Sequence, residues 1–289
     1  MDAAQVFPSI IKTDLHACVL HIFAAILKTG ACQATVIPRA LPIFKRFVTS
    51  ISQHAEQGSD TSKQLRATLM RFLQILKHAQ QREFDAALAC EKNTILTTTI
   101  LLSSASSVFT VDDPLVKRFV DELFDCLGNR MTSKVAAGCC RSLLLLPKKS
   151  SFETSIASQL LPQLLSFLAN PSNIEGLDES RSAVALSLVA FITATLATAQ
   201  QRLLAAKMIV PALLGRAQKE PSTGQETSAR LLEIATADQA AFRDVVGGLG
   251  SGDRGFLEEV LRRGQGAGGG TKKVDGEEEP RIALRMDFG

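Results

Sequence analysis

Apolar side chains recur along most of this chain at the three- and four-residue spacing that places them on one side of a helix. The pattern is clearest in residues 114–128, where charged residues fill the opposite side. The apolar positions there are Val116, Phe119, Val120, Leu123 and Leu127. Asp113 and Pro114 predict the start of this helix, because aspartate caps helix N-termini and proline fits the first turn. Gly128 and Asn129 predict its end. Because apolar and charged residues lie on opposite sides, the helix is expected to be half buried and half solvent-exposed.

Similar signals divide the rest of the chain into helices separated by short loops. The predicted helices cover about 14–28, 60–76, 83–107 (as one long helix or a broken pair), 132–146, 178–196, 222–237, 239–246 and 254–263. A capping box of Ser150 and Glu153 predicts a further helix that carries Ile156 to Leu168. Another helix is predicted directly after residue 196, with Ala206, Ile209, Leu213 and Ala217 on its inner side. Thr13 or Asp14 is predicted to cap the first helix, and Asp60 to cap the third. Pro38 and Pro42 predict a start or a kink in the second. The sequence therefore predicts an almost entirely helical protein.

Three segments repeat one short arrangement of an apolar pair, a proline and an apolar helical side. They are residues 40–47, 160–167 and 209–216, and residues 115–124 carry the same side without the internal proline. A unit of roughly 40–47 residues fits their spacing, and that period is typical of HEAT and armadillo helical pairs. Residues 1–263 are therefore predicted to form an all-α, HEAT/armadillo-type α-solenoid of about five helical pairs. Its last two short helices are expected to close the array with Phe242, Phe256, Leu257 and Leu261.

The composition changes after Arg263. Residues 264–270 are rich in glycine and residues 271–280 are charged, so residues 264–289 are predicted to be a flexible, disordered tail. At its end, apolar residues alternate with others at the period of an extended strand. These apolar positions are Ile282, Leu284, Met286 and Phe288. They are the candidate partner-binding site, because a short strand can add to a sheet edge or lie in a groove. Between the possible roles of the tail, folding back on the solenoid or remaining disordered is preferred over partner binding.

The charge balance argues against a nucleic-acid partner. The chain has 32 basic and 29 acidic residues, a net charge of +3, and neither Trp nor Tyr. A nucleic-acid-binding surface usually needs clustered Lys and Arg together with stacking aromatic rings. Protein partners are therefore expected, with no nucleic acid.

Two long stretches without charge, residues 93–111 and 182–201, approach the length of a bilayer span. Both are rich in Ser, Thr and Ala, which suits helices enclosed by neighbouring helices. An integral membrane protein is therefore an alternative rather than the preferred interpretation. Residues 15–27 resemble a signal peptide, but His16 and His21 interrupt the apolar run.

Candidate chemistry is sparse. His16, Cys18 and His21 suggest a metal site, but the two histidines lie about 140° apart on a helix, so packing is favoured. The six cysteines match neither a disulfide framework nor paired metal-ligand spacings, and reduced, buried thiols are expected. No nucleophile elbow, phosphate-binding loop or HExxH motif is present. The sequence therefore predicts no catalytic residue, no cofactor and no metal site.

Several segments resemble a family of very large HEAT-repeat proteins that accompany the trans-Golgi and endosomal clathrin adaptor, the Laa1-like proteins, and most closely their fungal branch. They are residues 7–18 (FPSIIKTDLHAC), 41–44 (LPIF), 226–233 (ETSARLLE), 241–246 (AFRDVV) and 280–288 (PRIALRMDF). Family members are several times longer, and the likeness is to their C-terminal portion. The resemblance therefore implies that upstream repeats are missing, which would leave an exposed apolar surface at the first helices.

The resemblance also implies a function. It predicts a non-enzymatic scaffold in clathrin-adaptor-dependent traffic between the trans-Golgi and endosomes, with clathrin-adaptor subunits as partners. The expected location is cytoplasmic, with peripheral association with Golgi and endosomal membranes. A nuclear-transport or a kinase- or phosphatase-regulatory α-solenoid is the alternative.

Overall fold

The computed structural model describes residues 7–53, 55–56, 58–82, 86–145, 156–169, 179–219 and 224–267. Across those ranges the chain forms twelve α-helices, one 3-10 turn (Gly30–Cys32) and no strand. The helices are α1 (Phe7–Lys28), α2 (Val36–Ser52), α3 (Asp60–Gln80), α4 (Ala87–Ser104), α5 (Pro114–Gly128), α6 (Ser133–Leu144), α7 (Ile156–Ala169), α8 (Glu179–Thr195), α9 (Ala199–Lys219), α10 (Gly224–Ala237), α11 (Gln239–Gly248) and α12 (Ser251–Ala267). The all-α prediction is confirmed.

The helices stack in two layers. The odd layer contains α1, α3, α5, α7, α9 and α11, and the even layer contains α2, α4, α6, α8, α10 and α12. From α1 to α10, each helix contacts its partner in the opposite layer and the next member of its own layer. The last two described helices are α11, which packs on α9, and α12, which packs mainly on α10. Stacked helical pairs of this kind form an α-solenoid, as the sequence predicted.

One apolar interior lies between the two layers. Its buried side chains form a single cluster that extends from Leu20 in α1 to Leu261 in α12. Phe72 in α3 and Phe119 in α5 are completely enclosed within it. Burying a side chain of this size stabilises the fold by about 1.5–3 kcal/mol relative to leaving it in water. Because each helix completes its burial against the next, no helical pair has a core of its own.

Helix α5 matches its prediction in detail. It begins with Pro114 directly after Asp113, whose carboxylate accepts the backbone N–H of Leu115 at 2.9 Å. Its five predicted apolar positions are all buried, while Lys117 and Arg118 are exposed. The helix ends at Gly128. Each of these features follows from signals within the segment itself.

Several predicted helix boundaries were wrong, including those at the starts of α1 and α3. Helix α1 begins at Phe7, earlier than Thr13, because Pro8 is tolerated in a first turn that needs no donor there. Ser59, not Asp60, caps α3, since the Ser59 hydroxyl accepts the Ser62 N–H at 3.2 Å. The Asp60 carboxylate instead pairs with Lys63 Nζ at 3.0 Å.

Helix α12 continues to Ala267, past the predicted boundary at Arg263. Glycine weakens a helix interior by about 1 kcal/mol relative to alanine, but it does not end a helix by itself. Residues 264–267, predicted to belong to the linker, are therefore helical. The division into a solenoid and a flexible tail otherwise stays a prediction.

The three proline segments do not occupy equivalent places in the repeat. Pro162 and Pro211 lie in the odd-layer helices α7 and α9, but Pro42 lies in the even-layer helix α2. All three prolines are exposed, so the carbonyls that lose a donor can face water. The true period appears in α5, α7 and α9, which begin at Pro114, Ile156 and Ala199, 42 and 43 residues apart. An exposed proline beside an apolar stripe is therefore a feature of helices in either layer.

The uncharged stretch at residues 93–111 is largely an enclosed helix, as its composition predicted. Helix α4 contacts α1, α2, α3 and α6. It buries four threonine hydroxyls, each of which donates to the carbonyl four residues earlier at 2.7–2.9 Å. The second uncharged stretch is divided by the break between α8 and α9. Among the described helices, none combines the length and apolarity that crossing a bilayer would require.

Two aspartates join neighbouring helices of the odd layer in the same way. Asp113 caps α5 and also binds the Arg66 guanidinium of α3 through both carboxylate oxygens. Asp238 caps α11 by accepting the Ala241 N–H at 3.0 Å, and it accepts Arg202 Nε of α9 at 2.8 Å. Each aspartate therefore satisfies a helix terminus and an arginine of the preceding odd-layer helix.

Replacing Phe119 by alanine tests the shared interior. We expect the free energy of unfolding to fall by about 3–5 kcal/mol, because a fully enclosed ring would leave a cavity. Chemical denaturation, with Lys117→Ala on the exposed side of α5 as the control, measures this difference. A loss below about 1 kcal/mol for Phe119→Ala would show that this side of α5 is outside the core.

Two substitutions at Asp113 separate its capping role from its ion pair. Asp113→Asn keeps a good capping side chain, and we expect a loss of about 1 kcal/mol or less, since Arg66 is partly exposed. Asp113→Ala removes both interactions, and we expect a loss of about 1–3 kcal/mol. Equal losses in denaturation experiments would contradict a separate contribution from the cap.

Candidate protein-binding surfaces

A shallow groove lies on the surface of the even layer, between α2, α4 and α6. We call it the even-layer groove, and its volume is about 500 Å³. Its lining residues are Lys45, Leu96, Thr99, Ile100, Ser103, Lys134, Val135, Gly138, Cys139, Ser142 and Leu145. From Lys134 to Leu145 it follows α6 for roughly 16 Å, the length of five extended residues or so. Leu145 is 67% exposed at one end.

The groove combines apolar side chains with hydrogen-bond acceptors. The hydroxyl of Ser103 donates to the Ile100 carbonyl at 3.2 Å, and that of Ser142 donates to the Gly138 carbonyl at 3.0 Å. Because these protons are used within their own helices, the hydroxyl oxygens can still accept from a ligand. Gly138 faces open space, and a Cβ added there would have no other atom within 4 Å.

Basic side chains surround this groove. Lys45 and Lys134 line it from opposite sides and are both exposed. Lys92 lies one turn before Leu96 on the same stripe of α4, and Arg141 lies two turns after Lys134 on α6. The Arg141 guanidinium donates to the Ser187 hydroxyl at 2.8 Å and remains exposed. The local charge at the groove is therefore positive.

The one carboxylate on α2, α4 and α6 is Glu91, and it is withdrawn from the surface. It is 5% exposed, and its Oε1 accepts the S–H of Cys126 at 3.4 Å. Burial raises the pKa of Glu91 above its ordinary value, and the S–H bond and nearby bases only partly oppose this effect. Glu91 therefore does little to neutralise the basic groups of the groove.

A second, smaller pocket of about 210 Å³ lies among α8, α9, α10 and α11. Its floor is apolar and includes Leu186, Val189, Leu196, Leu213 and Ile234. Its charged groups already pair with one another, as Arg202 does with Asp238 and Arg230 with Glu233, at 2.8 and 2.7 Å. The Ala241 N–H, followed by Arg202, lowers the pKa of Asp238. Asp238 therefore joins α9 to α11, whereas Glu233 pairs within α10.

The first helical pair exposes several apolar side chains. Leu15 and Ile22 of α1 are 58% and 57% exposed, and Ile43 of α2 is 71% exposed. Val36 of α2 is also exposed. Large side chains of this kind, gathered on one pair of helices, are a surface suited to protein association.

The cysteines divide into two groups. Cys90, Cys126, Cys139 and Cys140 are buried, and burial raises the pKa of each thiol, which disfavours the reactive thiolate. Cys18 is exposed and Cys32 is half-buried, so the prediction of buried thiols was wrong for both. Cys18 lies on the side of α1 opposite the core, a position that the apolar run around it concealed.

His16, Cys18 and His21 do not come together. His16 packs edge-on against Phe47, with ring centroids 5.7 Å apart. His21 is exposed and accepts a hydrogen bond from Arg71 at 2.8 Å. Within the described ranges, no group of three or more His, Cys, Asp and Glu side chains could hold a metal ion.

The predicted partner-binding residues Ile282, Leu284, Met286 and Phe288 lie outside the described residues. The even-layer groove was not predicted from the sequence. Its best signal is the exposed stripe of α6, where Lys134, Gly138 and Ser142 are each four residues apart. That stripe alone does not reveal which helices flank it.

Comparison with known protein families gives one match. A family model described as LAA1-like, C-terminal TPR repeats matches residues 112–274, more than half of the chain. The sequence predicted HEAT or armadillo repeats, and TPR repeats are likewise stacked helical pairs. No match was found among curated proteins or among solved structures. The stacked helices and this match together show that the chain belongs to the family of LAA1-like C-terminal TPR repeats.

Proposed function

We propose that this chain is a non-enzymatic scaffold in clathrin-adaptor-dependent traffic between the trans-Golgi and endosomes. Its partners in this proposal are subunits of the clathrin adaptor, and its location is cytoplasmic and peripheral to Golgi and endosomal membranes. The observation that carries the proposal is a two-layer helical stack of an LAA1-like family, with an open groove along one layer. Such repeats are scaffolds whose extended surfaces bind other proteins.

The chemistry of the described side chains supports a binding role over a catalytic one. The buried cysteines have raised pKa values and are poor nucleophiles. Asp113 and Asp238 cap helices and pair with arginines. The exposed Lys45 and Lys134 lie on an open groove, which favours recognition of a partner over the enclosure of a reacting group.

The basic groove also bears on the alternative function. A nuclear-transport solenoid needs an acidic inner surface for its basic cargo, whereas the even-layer groove is basic. This difference favours the trafficking proposal.

The tail is a second part of the proposal. Ile282, Leu284, Met286 and Phe288 would form one apolar edge of an extended segment and add to a partner's sheet or groove. The opposite edge carries Ala283, Arg285 and Asp287. These two edges supply matched sets of residues for a test.

Proximity labelling in cells tests the proposed partners. A promiscuous biotin ligase is fused to the chain and, as a control, is expressed alone. We expect clathrin-adaptor subunits to be enriched by the fusion at least several-fold over the free ligase. A folded fusion that labels other cytosolic proteins but gives no adaptor enrichment would contradict the proposal.

Two tail variants of the same fusion test the partner-binding segment. Serine at positions 282, 284, 286 and 288 removes the apolar edge, and serine at 283, 285 and 287 changes only the opposite edge. We expect the first variant to lose part of the labelling and the second to retain it. Equal labelling by both variants would remove the tail from the proposal.

A further inference from the structure

The first three even-layer helices carry an unusual distribution of charge. Their basic residues are Arg39, Lys45, Arg46, Lys92, Lys134 and Arg141, and their one carboxylate is the buried Glu91. Helix α5 of the odd layer, in contrast, mixes two basic with three acidic residues on its polar side. The nearly neutral net charge of the chain therefore hides a basic surface at α2, α4 and α6.

The geometry of the even-layer groove defines what could fill it. Lys45 and Lys134 flank it, so carboxylates could approach a cation from either side. Leu96, Ile100, Val135 and Leu145 supply apolar contacts. The hydroxyl oxygens of Ser103 and Ser142 can accept backbone N–H groups. This combination suits an extended peptide that alternates acidic and apolar side chains.

We propose that the even-layer groove binds an extended acidic-apolar segment of a partner protein. The proposal deepens the scaffold function and rests on it, because it names the surface and the chemistry through which a partner docks. A peptide is favoured over a lipid surface because the contacts lie within a groove. A flat bilayer would reach the exposed lysines but not acceptors such as Ser103, which is partly buried beside Thr99.

Charge reversal tests the electrostatic part of the proposal. The probe is a short fluorescent peptide of Asp, Glu and Leu, titrated with the purified full chain and followed by anisotropy. We expect Lys45→Glu together with Lys134→Glu to weaken binding about tenfold or more at low salt, because opposing charges guide and hold the complex. The control is Lys77→Glu with Lys117→Glu, an equal change of net charge on exposed odd-layer positions. Equal weakening by both pairs would overturn the site assignment.

Filling the groove tests the geometric part. Gly138→Phe places a ring in the groove without changing charge, and Gly215→Phe places one at a half-buried glycine of α9 that likewise has room for a Cβ. We expect Gly138→Phe to weaken peptide binding about tenfold, and Gly215→Phe to leave it unchanged. Thermal melting of each variant identifies a loss of fold, and the charge-reversal pair keeps the test decisive if one ring is not tolerated.

The same protein variants, together with one further variant, distinguish two other possible occupants of the groove: a membrane surface and the chain's own tail. Binding to phosphatidylserine vesicles that depends on Lys45 and Lys134 but not on Gly138, without peptide binding, would overturn the peptide in favour of a membrane. Three of the five acidic residues of the chain's own tail are removed by Glu277→Gln, Glu278→Gln and Glu279→Gln. Much tighter peptide binding by that variant would assign the groove to the tail.

These measurements are independent of the adaptor. Peptide binding in the groove without adaptor labelling in cells would retain the groove and reject the trafficking proposal. Adaptor labelling without peptide binding would retain the trafficking proposal and reject the groove.

Discussion

Each helix of this protein can bury its apolar side only against the helices that precede and follow it. The buried side chains consequently form one cluster from α1 to α12, and α4 is enclosed by four neighbours. In such a fold, stability is the sum of contributions from helical pairs and from the contacts between adjacent pairs. The central helices, which are covered by neighbours on both sides, therefore hold the structure.

Polar groups are used differently in the two layers. In the odd layer, Asp113 and Asp238 bind arginines that lie 47 and 36 residues earlier, and each also caps a helix. These ion pairs connect successive helical pairs, so the charges are already paired within the fold. In the first half of the even layer, the one carboxylate of α2, α4 and α6 is the buried Glu91, and hydroxyls such as those of Thr99, Ser103 and Ser142 bond within their own helices. Polar groups such as Asp113 and Asp238 of the odd layer thus stabilise the fold, whereas the basic groups of the first even-layer helices are exposed to a partner. The proposed groove rests on this difference.

The sequence predicts what is local and misses what depends on packing. The caps and buried side of α5 were predictable because all of their signals lie within one helix. The proline segments did not mark equivalent positions of the repeat, because the segment around Pro42 has the same local pattern but lies in the opposite layer. The groove could not be predicted, because Lys45, Thr99 and Lys134 come from helices some 35–55 residues apart that only the stacking brings together. The exposure of Cys18 was hidden for the same reason: its apolar neighbours do not reveal which side of α1 is covered.

Amide hydrogen exchange, resolved helix by helix, tests the shared interior most directly. If one interior joins the layers, protection should be greatest in α3, α4 and α5, and should decline towards α1 and α2 at one end and α12 at the other. If α4 instead exchanged as fast as α2, or if each helical pair opened with the same free energy regardless of its position, the pairs would be independent units and the account of a single interior would be contradicted.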